Sequence, residues 1–373
     1  VDVPEEYPLL SQALSENGYR TGAFVSAYVL DGQLGFQRGF EVYDDEFARL
    51  RGWSRSGPGR IQAMVERWLS PSHVVERPGD KTVDRAIEWL RLDPDQPTFL
   101  WVHLFDPHGP YTPPSPFDQM YYSGDPRAPE HTSMEAVTDI PEYLKPSLEG
   151  IRDVDWVRAQ YAGEVSFVDQ QMDRLVQYLE SEGSLEDTLV VIVGDHGESL
   201  GENDVWFNHG GDLDVSALHV PFLVHWPKII KGGLRFDETV GVVDVAPTIL
   251  GLLSMDKAQT DGVDRSGQLR EVATVPHTPV QSICYDRTVN QAERERGNIT
   301  KPTHLLARTW TKDGWIQIGT HPSRGAIQRG QVDADVIDTL SSVLGSVGAG
   351  IHERASRRDA DALQRLRSLG YVE

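Results

Sequence analysis

The sequence predicts an α/β fold, a mostly parallel sheet with helices on both faces, plus a smaller α+β portion at the C-terminal end. Three observations carry this prediction. Continuous apolar runs, TFLWVHLF (98–105), TLVVIVG (188–194) and VPFLVHW (220–226), alternate with segments of helical period, the pattern of strands covered on both faces. After Asp153 the apolar positions Val157, Tyr161, Val165, Val168, Met172, Leu175 and Leu179 recur at intervals of three and four, which marks one face of a long helix. Hydrophobic residues make up 39% of the 373, enough for a sizeable core. The main α/β domain is expected over 1–260 and the smaller C-terminal subregion over 261–373.

In chain order, Leu9 to Gly18 reads as a short helix ended by its glycine, and RTGAFVSA follows as a strand. TVDRAIEWLRL (82–92) is helical, and TFLWVHLF is a strand expected to be buried on both faces. The stretches 48–60 and 112–150 are rich in Gly, Pro, Ser and charge and read as loops. The long helix stops near Gly183. DVAPTILGLL (244–253) opens a helix with Asp244 near the cap and Pro247 in the first turn. LARTWTKDGWIQIG (306–319) reads as a hairpin turning at Lys312-Asp313-Gly314, and DADALQRLRSLGYV (359–372) as a terminal amphipathic helix.

Composition excludes some functions. Lys and Arg total 35 against 57 Asp and Glu, a net charge of −22. Such a surface repels nucleic acid and anionic membranes. An anionic substrate would need a local cation to draw it in. No apolar run approaches the roughly 18 residues that span a bilayer, and the single cysteine, Cys284, permits neither an internal disulfide nor a cysteine-rich zinc site.

Ligands of parallel sheets gather beyond the C-terminal strand ends. The strand of 188–194 ends in Gly194-Asp195-His196-Gly197-Glu198. Asp195 offers a hard carboxylate oxygen and His196 an imidazole nitrogen, a pair suited to a divalent cation; a plain strand-to-helix turn uses the same residues. Glu198 and Glu202 are either partners of that pair or solvent-facing charges. In HLFDPHGPYTPP (103–114), Pro107 and Pro110 restrict the backbone on either side of His108. That suits a general acid or a donor to an anionic substrate oxygen, or else a histidine merely exposed on a proline-rich loop. His103, within the strand, reads as a core histidine. His209, in WFNHGG (206–211), lies close enough in sequence to fold back over the 188–194 strand end. Together these segments are expected to place His108, His196, His209, Asp106 and Asp195 on one edge of one sheet.

The blocks FLWVHLFDPHGPYTPP, VIVGDHGESLGE, WFNHG, HVPFLVHWP and VVDVAPTILGLL, with LLSQALSENGYRTGAFVSAYVLDGQLGFQRGFEVYDDEF before them, resemble the sulfatase family of the alkaline-phosphatase superfamily, in the family's order. The tail LQRLRSLGYV resembles the end of many members. The resemblance implies a metal-dependent sulfuric ester hydrolase acting on a small anionic sulfate ester, in the periplasm or secreted. It implies that Asp195 and His196 bind a divalent metal, calcium first. His196 stands where many sulfatases carry Asn, which makes manganese or zinc the alternatives. It implies that His108 and His209 are catalytic, contacting the ester oxygen and the transferred group. DHGESLGEN also resembles the phosphoethanolamine transferases, so phosphoryl chemistry (transferase, phosphodiesterase or phosphonate hydrolase) is the second implied activity, and a non-catalytic relic of the fold the third.

The family's nucleophile is a Cys or Ser in C/S-x-P-x-R, converted to formylglycine in true sulfatases, and it precedes the block that begins here at residue 9, as do two acidic metal ligands. The expectation is therefore a chain that lacks the N-terminal nucleophile-bearing segment and is inactive by itself. Cys284, in SICYDRT, does not fit the motif. Ser56, in SGPGR (56–60), matches S-x-P-x-R but follows the GYRTGAF block, and is expected to be a chance match.

Overall fold

The computed structural model describes residues 3–47, 76–93, 95–138, 140–209, 213–256, 260–271, 280–286, 304–311, 314–321 and 325–330. SGPGR and the expected terminal helix lie outside the described residues. The chain forms two compact units, one of Val1–Ala136 with Glu142–Leu185, the other of Val137–Pro141 with Glu186–Glu373.

In the first unit, α1 (Leu10–Glu16) ends as predicted before Gly18, whose φ of +81° reverses the chain. β1 (Arg20–Val25), β2 (Val42–Asp44), α2 (Gly79–Leu90) and β3 (Thr98–His103) follow. The three strands form a parallel sheet in the order β2–β1–β3, with Gly22 opposite both Val42 and Leu100. All six residues of β1 are buried. β3 departs from expectation, because its six residues are only half-buried; among the described strands it has a neighbour on one side only.

The alternation of β3 nonetheless sorts its side chains. Leu100 and Val102 pack against Phe24, Ala86 and Trp89, joined there by Leu90 and Leu175. Phe99, Trp101 and His103 form an aromatic row on the alternate positions, with Phe40 stacked on Phe99 at 5.6 Å and on Trp101 at 6.0 Å.

The long helix, α3 (Val154–Ser181), is capped by the Asp153 carboxylate, which accepts the Asp155 N–H. Its buried face differs from the apolar stripe in the sequence. Val157, Gln160, Glu164, Phe167 and Gln171 are buried, whereas Val165 is exposed. Polar residues turn inward here because each finds a partner there, as Gln160 does by donating to the Asp118 carbonyl at 3.0 Å.

The second unit holds β4 (Val190–Val193), β5 (Ser199–Leu200), β6 (Trp206–Asn208), α4 (Val215–Leu218), β7 (Phe222–His225), α5 (Val245–Leu252) and α6 (Ser266–Leu269). β4 and β7 pair antiparallel, Val190 opposite His225, within a fold the sequence read as mostly parallel. The connection between them is filled by the β5–β6 hairpin and a one-turn helix, not by the crossover helix that usually joins parallel strands. Among the described residues β3 pairs with β1, and β4 with β7 in a separate sheet. Asp244 stands at the N-cap of α5, yet its buried carboxylate accepts instead from Gly241 N, Val263 N and the Arg265 guanidinium. Four strands, β8 (Val280–Asp286), β9 (His304–Thr311), β10 (Gly314–His321) and β11 (Gly325–Gly330), form an antiparallel sheet in the order β11–β10–β9–β8. It contains the predicted hairpin, Trp310 opposite Trp315. Cys284 lies within β8, opposite Leu306.

Candidate active site

The turn after β4 is anchored on both sides. Gly194 N–H donates to the Pro221 carbonyl at 3.1 Å and Gly197 N–H to the Ala217 carbonyl at 2.7 Å. A Cβ at Gly197 would lie 2.0 Å from the Ser216 carbonyl oxygen, so only glycine fits. Between these anchors the backbone carries Asp195 and His196 outward, with side-chain exposures of 77% and 33%.

The donors of the two side chains converge. Asp195 Oδ2 lies 3.7 Å from His196 Nε2, too long for a hydrogen bond. Two ligands each about 2.0–2.6 Å from one cation stand at comparable separation. His196 Nδ1 sits 2.9 Å from the Gly197 carbonyl; a proton on Nδ1 makes that bond and puts the lone pair at Nε2, the tautomer of a metal-ligating imidazole. Asp195 Oδ1 also accepts the His196 N–H at 2.9 Å, which orients its carboxylate.

β6 brings His209 onto this turn. Phe207 is fully buried with φ +51°, a left-handed conformation that a bulky residue holds only when its surroundings fix it. Two residues on, the His209 ring stacks on His196 with centroids 4.1 Å apart. His209 Nδ1 is 3.3 Å from both oxygens of Glu198, whose side chain is 5% exposed. Glu198 is therefore a buried orienting partner, and the sequence had left that role open. Glu202 is exposed and accepts the Leu200 N–H at 2.6 Å, so it closes its own turn.

Asp195 and His196 fit a divalent cation as two donors of a larger set. Among the described residues, no three His, Cys, Asp or Glu side chains converge as a complete metal cage.

In the first unit the aromatic row of β3 continues past the strand end, His103 to Phe105 at 6.5 Å and Phe105 to His108 at 4.2 Å. Tyr143 stacks on His108 from 5.6 Å. His108 Nδ1 is 2.7 Å from the Gly109 carbonyl, and a Cβ at Gly109 would strike Leu144 at 2.6 Å. The imidazole is thus held in a stack, and the exposed-loop alternative does not describe it. Asp106 Oδ2 accepts the Gly79 N–H at 3.1 Å, and its carboxyl lies beside that of Glu164 on α3. Burial, then the charge of Asp106, pushes the Glu164 carboxyl up to about 9; burial, with Asp106 again adding, pushes Glu76 up to about 8. The sequence did not single out Glu164 or Glu76. The available signal was the spacing of Gln160, Glu164, Phe167 and Gln171 along one helical face.

The sulfatase family model matches residues 1–255. The chain is 31% identical to an arylsulfatase of Clostridium perfringens over 216 residues, 53% of this chain and 44% of that protein. It is 26% identical to a multifunctional alkaline phosphatase superfamily protein of Trinickia caryophylli, covering 63% and 48%. The chain spans about half the length of the curated relatives it matches. Among solved structures, it resembles a phosphonate monoester hydrolase of Agrobacterium radiobacter, with TM-score 0.60, 18% identity, and 93% and 80% of the two chains covered. A second neighbour, solved with its substrate D-glucosamine-2-N,6-O-disulfate, has TM-score 0.58 at 16% identity, covering 95% and 84%. At these identities the neighbours show the fold, while the family match extends over more than half of the 373 residues: the chain belongs to the sulfatase family.

Proposed function

We propose that the whole protein hydrolyses sulfate esters of small anionic molecules, with a divalent metal held in part by Asp195 and His196. The observation that carries this is the turn itself: a carboxylate oxygen and an imidazole nitrogen 3.7 Å apart, with a second histidine stacked on the first and oriented by buried Glu198. Sulfatases generally use a divalent metal and a formylglycine nucleophile. A metal here would supply positive charge against the sulfuryl oxygens, and we assign calcium first, as a hard ion for oxygen donors. The work of this chain's own residues follows from their placement. Glu198 holds His209 with Nδ1–H turned inward, so that Nε2 is the atom offered to the transferred group. His108, fixed in its aromatic stack, carries a proton to the leaving oxygen. A periplasmic or secreted location belongs to the same proposal.

The kinship to a protein described as multifunctional keeps phosphonate and phosphodiester hydrolysis as the second reading. One assay separates them: kcat/KM for aryl sulfate, aryl phosphonate and bis-aryl phosphate under identical conditions. The proposal expects the sulfate to be preferred, and a preference for either phosphorus ester overturns it.

A further inference from the structure

Two carboxyl groups cannot hydrogen-bond to each other when both are ionised, because a carboxylate only accepts. Asp106, just past β3, and Glu164, on the buried face of α3, lie side by side, so that one can bond the other only if it carries a proton. Their remaining capacity is taken by backbone donors. Asp106 Oδ2 accepts Gly79 N–H at 3.1 Å and Glu164 Oε1 accepts Thr112 N–H at 2.7 Å. Glu164 is 3% exposed. Among the described residues, the charged groups that bear on the pair are Asp80 of α2 and Glu76, both acidic. Arg77, next to Glu76, is turned to Asp44 at 2.7 Å. A carboxylate only accepts, so a proton on one of the two is what lets the pair bond.

We propose that Asp106 and Glu164 share one proton at neutral pH, and that this proton latches the His108 loop to α3. The loop between the two contacts, Asp106 to Thr112, contains His108; its two ends are the two points that Glu164 grips. Glu164 and Asp106 are positioning residues, acting on substrate only through His108, and that consequence rests on the proposed role of His108. Glu164 donates the shared proton and Asp106 accepts it. Burial and the neighbouring acids keep Glu164 protonated up to about 9.

The test needs no turnover to begin. An infrared difference spectrum at pH 7.5, wild type minus Glu164→Gln, is expected to show the carbonyl band of a protonated carboxylic acid and to lose it above about pH 10. In Asp106→Asn, an amide can donate to an ionised Glu164, and the band is expected to vanish at lower pH. Hydrogen exchange at the Thr112 amide is expected to be protected in wild type and in Glu164→Gln, whose amide reproduces the protonated acid, and at least about tenfold faster in Glu164→Ala. In the whole enzyme, kcat is expected to fall about tenfold or more in Glu164→Ala, as loop misplacement does, and to recover in Glu164→Gln. Absence of the band in natively folded protein overturns the shared proton. Unchanged Thr112 exchange in Glu164→Ala overturns the latch. If His108→Ala leaves turnover intact, the catalytic role of His108 falls while the shared proton stands. If His108→Ala abolishes turnover and Glu164→Ala changes neither kcat nor exchange, the latch falls and that role stands.

Discussion

Glu198 decides how His209 faces. Its buried carboxylate meets Nδ1 with both oxygens at 3.3 Å. His209→Ala is expected to lower kcat/KM about a hundredfold or more. Glu198→Gln is expected to lower it roughly tenfold to a hundredfold with little change in thermal stability; equal activity in Glu198→Gln would remove Glu198 from the site. Glu164 yields a pH prediction of definite sign. Its folded pKa, about 9, lies above the ordinary value of 4.5. The stability it contributes is therefore complete below about 4.5 and lost as pH rises through about 9. The melting temperature is expected to fall across that window, and less steeply in Glu164→Gln. That His209 returns to the turn after β4 was legible from its short distance in sequence, and the rings of His196 and His209 do meet. Glu164 was not, since one glutamate on a long helix looks like solvent-facing charge until tertiary packing turns it inward.

At the scale of elements, the turn after β4 depends on Gly197 more than on its charged neighbours. A Cβ there would lie 2.0 Å from the Ser216 carbonyl oxygen, so Gly197→Ala must displace either α4 or the Asp195–His196 turn. Activity is expected to fall about a hundredfold while the first unit keeps its stability, which hydrogen exchange in β1 would report. In that first unit Trp89 is 7% exposed, packs on Phe24 at 5.9 Å and carries the Arg20 guanidinium 3.9 Å above its ring. Trp89→Ala is expected to cost about 3–5 kcal/mol in urea unfolding. The elements themselves were readable from period and punctuation, α3 and the strands β1 and β3 above all. Strand direction for β4 and β7 was not, because a buried apolar run looks the same in either orientation and only the intervening hairpin settles it. The inward rotation of α3 escaped for a similar reason: hydropathy cannot see that Gln160 has a carbonyl waiting for it.

Across the whole molecule, charge and site pull in opposite directions. The chain carries −22, which opposes an anionic substrate at long range, so a bound cation is what would make the Asp195 turn attractive to a sulfate ester. Calcium at a hundred times its dissociation constant is expected to stabilise the protein by about 2.7 kcal/mol, seen as a rise in melting temperature that Asp195→Ala/His196→Ala abolishes. The most direct test of a metal-dependent sulfatase site is sulfate release from an aryl sulfate by the whole protein, measured before and after chelation and again after calcium is restored. Turnover is expected to be abolished by chelation, recovered by calcium, and not recovered in Asp195→Ala/His196→Ala. Turnover indifferent to the chelator, or fully retained in the double variant, would contradict it.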